Sequence, residues 1–135
     1  MQSAAPTAPV PRKRLWTARA IFVVAVLFLL LDTVGKLLAL PPVVEGTVQL
    51  GYPENLVLVL GLIQLACLVV YLIPRASVLG AILLTGYLGG AVATHVRIGN
   101  PLLTHILFPV YVAVLLWGVL FLLDGRVRAL IPLRA

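Results

Sequence analysis

Four apolar runs dominate the sequence and leave it few folds to choose from. They cover about residues 18–40, 54–73, 77–96 and 101–124. Each is close to the length a helix needs to cross ~30 Å of hydrocarbon. None shows the period-two alternation of barrel strands. Pro41 and Pro42 end the first run and Pro74 the second, because proline cannot continue the backbone ladder. Pro53 and Glu54 suit the first turn of the second run, with Glu54 favoured at the positive end of the helix dipole. Ser77 reads as the N-cap of the third run and Asn100 as that of the fourth, with Pro101 in its first turn and Gly125 as its left-handed C′ residue. Of the 135 residues, 62% are hydrophobic and 10% charged, whereas soluble domains carry about a quarter charged. The expectation is an all-α, four-helix transmembrane bundle in the lipid bilayer over residues 15–135, preceded by a disordered basic head at residues 1–14. That head imitates a signal peptide, but the first run is too long and no small-residue cleavage site follows.

The net charge is +6. Eight of the ten Lys and Arg fall in the head and start of the first run (Arg12, Lys13, Arg14, Arg19), at Arg75, or in the tail (Arg126, Arg128, Arg134). That clustering at segment ends follows the positive-inside rule and puts both termini in the cytoplasm. It does not form a single patch of the kind that binds nucleic acid. The lone cysteine, Cys67, lies inside an apolar run and reads as a packed small residue.

The stretch "GYLGGAVATHVR" carries two patterns. At 100° per residue, Gly86, Gly90, Ala93 and Arg97 share one narrow face, with Thr85, Gly89 and Ala93 in an adjacent row. Small residues let helices approach closely in lipid, so Gly86, Gly89, Gly90 and Ala93 are expected to form a packing seam, within the bundle or in a homodimer. His95 lies roughly 140° from Gly90 and faces a different neighbour.

Alternating helix directions place Asp32, Lys36, Glu54, His95, Arg97 and His105 in the outer half of the membrane, with Gln64 about midway. Ionisable groups at that depth cost a few kcal/mol each unless paired or hydrated. Their common depth suggests a polar pocket open to the non-cytoplasmic side. Asp32 and Lys36, four apart, can pair as a structural bridge or belong to a ligand or proton site; Lys36 can also snorkel outward. Glu54 can serve only the helix start and Arg97 only the interface. His95 and His105 flank a short loop and can meet, for structural hydrogen bonding, proton relay or quinone-type bonding. Two histidines without further ligands do not make a metal site. Gln64 reads as an interhelical bond. Pro109 deprives the His105 carbonyl of its helical partner, so a kink there is expected, with Arg97, Lys36 or water as substitute donor.

No phosphate loop, metalloprotease motif, nucleophile elbow or cysteine pair occurs, so no catalytic residue is assigned. "LFLLLDTVGKLLALPPV", "LGYPENLVLVLGLIQL", "GYLGGAVATHVR", "PLLTHILFPV" and "DGRVRALIPLR" together resemble the DoxX-like family of small bacterial membrane proteins, over roughly residues 17–134. The resemblance implies a four-helix bundle in the bacterial inner membrane, with Lys36, Gly89, Gly90, His95 and Arg97 as family motif positions. The wider DoxX superfamily is named for a subunit of a thiosulfate–quinone oxidoreductase, but the resemblance carries no activity. Two readings follow. One is a non-catalytic membrane subunit that anchors or assembles a protein partner. The other is an accessory of a membrane redox system that binds a quinone or small ligand in the polar pocket. A transporter is disfavoured, since the inner half offers an ion no polar path.

Overall fold

The computed structural model describes residues 9–131, so most of the expected head, and Arg134 in the tail, lie outside the described residues. The described chain is helical, with no strand among the described residues. Its α-helices are α1 (Arg12–Leu37), α2 (Pro41–Gln49), α3 (Leu56–Leu72), α4 (Ser77–Arg97), α5 (Phe108–Leu123) and α6 (Gly125–Leu130). A 3-10 turn (Pro74–Ala76) joins α3 to α4, and a π-helical turn (Leu102–Ile106) precedes α5.

Three segments are long and apolar enough to cross a membrane: Arg12–Leu37, Pro74–Arg97 and Leu102–Leu123. The fourth apolar helix, α3, is shorter at 17 residues. The long helices pack as a ring, in which α1 and α4 each lie against both α3 and α5. Leu29, Leu68, Leu84 and Leu116 fill its centre, each at most 1% exposed. Cys67 is buried among them. A belt of exposed Leu, Val and Phe covers the outside, as a lipid-facing surface requires.

The start of α1 differs from expectation. "RKR" forms its first turn instead of belonging to an unstructured head. At 1.5 Å per residue α1 is about 39 Å long, enough to carry that basic turn beyond the hydrocarbon.

Three of the expected helix ends differ. Ser77 does not cap α4: its hydroxyl donates back to the carbonyls of Tyr71 (3.0 Å) and Ile73 (3.1 Å). Gly125 is not a left-handed C′ residue but opens α6, with Asp124 as N-cap accepting from the Arg126 N–H at 2.9 Å. Helix α3 starts at Leu56, so Pro53 and Glu54 form the turn before it.

Gly86, Gly89 and Gly90 do not form a packing seam inside the bundle. A Cβ on Gly86, Gly89 or Gly90 would touch nothing within 4 Å. The backbones come closest at Gly80, whose added Cβ would lie 2.2 Å from the Tyr71 backbone, and at Gly61, 2.9 Å from the Lys36 Cβ. Spacing alone marks small residues; it does not say which of them another helix covers.

Candidate functional site

The end of the bundle where α1 and α4 finish holds a cavity of about 720 Å³. Three helices stop there in the same way. In the Schellman closure the C″ and C′ N–H groups reach back to the C3 and C2 carbonyls around a left-handed C′ residue. Ala39 (φ +49°), Gly51 (φ +94°) and Gly99 (φ +72°) occupy that position after α1, α2 and α4. The paired bonds are Leu40 N–H to Gly35 and Ala39 N–H to Lys36, Tyr52 N–H to Thr47 and Gly51 N–H to Val48, and Asn100 N–H to His95 and Gly99 N–H to Val96. Helix α2 is thereby folded back as one wall of the cavity, which it lines from Pro42 to Leu50.

Deepest among the polar groups is a network between α1 and α3. Lys36 pairs with Asp32 one turn earlier and donates to Gln64 Oε1 at 3.0 Å. Gln64 Nε2 donates to the Leu29 carbonyl at 3.3 Å, which also accepts from Thr33 Oγ1 at 2.7 Å. Gln64 is 0% exposed, and the side chains of Lys36 and Asp32 are 12% and 34% exposed. Gly61 makes this possible: lacking a Cβ, it admits the Lys36 stem, and Gln64 follows one turn later on the same face of α3. The ammonium is thus satisfied inside the protein, as a charge at this depth must be.

The second group is a histidine pair. The rings of His95 and His105 stand edge to face, with centroids 5.8 Å apart. Asn100 holds His95 twice, through the backbone closure above and through its side-chain amide, 2.7 Å from His95 Nδ1. An amide nitrogen only donates, so Nδ1 accepts and the neutral ring carries its hydrogen on Nε2. His105 Nδ1 lies 2.8 Å from the Thr104 hydroxyl.

Asp32, Lys36, Gln64, His95 and His105 all line the cavity; Glu54 and Arg97 do not. Glu54 is exposed in the turn before α3. Arg97 instead ties the loop to α4, donating to the Leu50 carbonyl at 2.7 Å across the space that Gly51 leaves open. The Tyr52 hydroxyl makes a second tie, donating to Thr94 Oγ1 at 3.1 Å, since the Thr94 hydroxyl is committed to the Gly90 carbonyl. Arg97 and Lys36 are therefore engaged elsewhere than the His105 carbonyl. The expected kink is a break before the proline. The Leu102–Ile106 turn closes with Ile106 N–H to Pro101 and Leu107 N–H to Leu102, five residues apart. Helix α5 then starts at Phe108, with Pro109 in a first turn where a missing N–H has no cost. Asn100, expected to cap this segment, serves His95.

Gly86 and Gly90 line the cavity. Their missing side chains are part of its volume. The sequence reading missed the polar groups of α2 and the loops: Thr47, Gln49, Tyr52 and Asn100 also line it. The available signal was Gly51 and Gly99, each placed one residue beyond a helix C-cap. Among the described residues, no group of three or more His, Cys, Asp or Glu is placed to share a metal ion.

The model of the DoxX-like family matches residues 20–119. The chain belongs to the DoxX-like family. The matched segment contains every cavity-lining residue named above and stops short of α6. No curated protein and no solved structure matches the chain. DoxX-like membership and three membrane-length apolar segments together describe a multi-pass membrane protein.

Proposed function

We propose that this DoxX-like protein is a membrane-embedded binding protein that holds a small amphiphilic molecule in the cavity between α1, α3, α4 and α5. The carrying observation is the cavity itself: about 720 Å³, within the ~300–1,000 Å³ of small-molecule sites, mostly apolar, with a few convergent polar groups. Its polar end offers the Lys36 ammonium and the His95 Nε2–H as donors. A ligand with one or two hydrogen-bond-accepting oxygens on an apolar body suits it, and a quinone is one such molecule. We assign no reaction to the site.

In this reading α3 is the fourth membrane crossing, so both termini lie on the cytoplasmic side of a bacterial inner membrane. The basic residues support that orientation: Arg12, Lys13, Arg14 and Arg19 begin α1, Arg75 sits in the α3–α4 turn, and Arg126 and Arg128 follow α5. The cavity then opens toward the extracytoplasmic side.

Native mass spectrometry of the protein extracted with its own lipids tests the reading. A small molecule of defined mass should co-purify, and its occupancy should drop at least tenfold in Gly90→Leu, a substitution at a cavity-lining position where an added Cβ meets nothing within 4 Å. An empty wild-type protein, or equal occupancy in that variant, would refute it.

A second reading, a non-catalytic subunit that anchors a partner or pairs with itself, is favoured by Gly89 and Ala93, which are exposed on α4. Gly89→Leu should then lower the oligomeric mass in nanodiscs while leaving cavity occupancy intact.

A further inference from the structure

The chain has four tyrosines. Three commit their hydroxyls to the protein. Tyr71 donates to the Leu116 carbonyl at 3.0 Å, Tyr111 to the Leu103 carbonyl at 3.1 Å, and Tyr52 to Thr94 Oγ1 at 3.1 Å. The Tyr87 hydroxyl has no hydrogen-bond partner among the described residues. It is not sealed in the core either, since no fully buried side-chain oxygen there lacks a partner. The ring packs on the buried cluster, and the residue lines the cavity. A tyrosine so placed ordinarily finds a partner for its O–H.

Tyr87 sits across the ring from Asp32 and Lys36, because α1 and α4 are separated by α3 and α5. It lies ten residues before the end of α4, about 15 Å at 1.5 Å per residue. Gln64, which holds the Lys36 ammonium, lies eight residues into α3, about 12 Å from its start. The two depths agree within one helical turn.

The charges of the cavity cancel. Asp32 and Lys36 are the only Asp, Glu, Lys or Arg that line it among the described residues, and they pair with each other. Lys36 gives one N–H to Asp32 Oδ2 and one to Gln64 Oε1. An ammonium has three donors. The third N–H and Asp32 Oδ1 have no hydrogen-bond partner among the described residues.

We propose that Tyr87, Lys36 and Asp32 together select a ligand with an uncharged hydroxyl head. One hydroxyl answers all three. Its O–H donates to Asp32 Oδ1, and its two lone pairs accept from the Lys36 N–H and the Tyr87 O–H. A carbonyl oxygen leaves the carboxylate oxygen without a donor. A carboxylate head meets Asp32 with like charge, and an ammonium head meets Lys36 in the same way, at a depth where uncompensated charge is costly. The inference rests on the binding role proposed above and narrows its ligand from any accepting oxygen to an alcohol or phenol.

The test uses the full chain in nanodiscs. The probe is a long-chain secondary alcohol carrying a diazirine, compared with the ketone of the same skeleton and a carboxylate of equal length. Photolabelling at Gln64, Thr94 or His95 is read by peptide mapping at equal probe content of the bilayer. The alcohol should label these positions at least about tenfold more than the ketone, as expected for a hydrogen bond to a charged group. The carboxylate should not label them. Tyr87→Phe should lower labelling by the alcohol roughly three- to tenfold, and should leave the melting temperature of the ligand-free protein in a fixed detergent unchanged. Equal labelling by alcohol and ketone, labelling by the carboxylate as strong as by the alcohol, or undiminished labelling in Tyr87→Phe would each overturn the inference while the binding role stands. A lower melting temperature of ligand-free Tyr87→Phe would make the hydroxyl a structural group and overturn it as well. If no probe labels the cavity in either protein, both proposals fall.

Discussion

At the scale of single residues, Lys36 and Gln64 carry most of the meaning. Gln64→Leu removes one acceptor from the ammonium and one donor from the Leu29 carbonyl. The loss should be about 1–3 kcal/mol, read as a lower melting temperature in a fixed detergent. Ala39 offers the opposite sign. It holds a left-handed conformation at the position glycine favours, so Ala39→Gly should stabilise by roughly 0.5–1 kcal/mol, the left-handed strain slightly exceeding the chain entropy that glycine adds. The sequence made Lys36, Asp32, Gln64, His95 and His105 legible because lipid penalises ionisable and amide side chains, so depth alone groups them. Glu54 and Arg97 share that depth but not the cavity: a helix end can send a side chain outward or across to a loop, and depth cannot distinguish the two. The cavity-lining places of Thr47, Tyr52 and Asn100 were not legible, because nothing penalises polar residues in the segments that connect the apolar runs.

At the scale of helices, the glycines divide into two kinds. Gly80→Leu should destabilise by about 3 kcal/mol or more, because its Cβ would meet the Tyr71 backbone, which cannot rotate away. Gly90→Leu should leave the melting temperature unchanged and lower ligand occupancy. Equal thermal effects in the two variants would put the packing seam back where spacing alone suggested it. Spacing identified the face of α4 but not its neighbour, and a face of small residues serves a cavity as well as a contact. Helix α2 was missed because two prolines were read as a stop, whereas prolines in a first turn also begin a helix. The short helix α6 depends on Asp124. The hydrogen bond from the Arg126 guanidinium is the largest influence holding the Asp124 carboxyl below the usual carboxylate range. A carboxyl depressed in the folded state stabilises above its unfolded value of about 3.9 and loses that contribution as pH falls through its folded value. The α6 chemical shifts of Val127–Leu130 should therefore move toward coil values below pH ~4, and Asp124→Asn should abolish that transition.

At the scale of the whole molecule, the apolar runs and their breaks were enough to read an all-helical membrane protein. The ring order of the helices and the space left at one end were not. They depend on which turns close tightly and on where Gly61 and Gly80 let backbones meet. In the proposed topology the cavity and the basic chain ends lie on opposite sides of a bilayer crossed four times. Single cysteines at Gln49, beside the cavity, and at Arg14, at the start of α1, test it most directly. Each is placed in a Cys67→Ala chain and exposed in intact cells to a membrane-impermeant maleimide. Labelling at position 49, with position 14 protected until the membrane is broken, is the predicted result. Labelling of both positions in intact cells, or protection at 49 with labelling at 14, would contradict it.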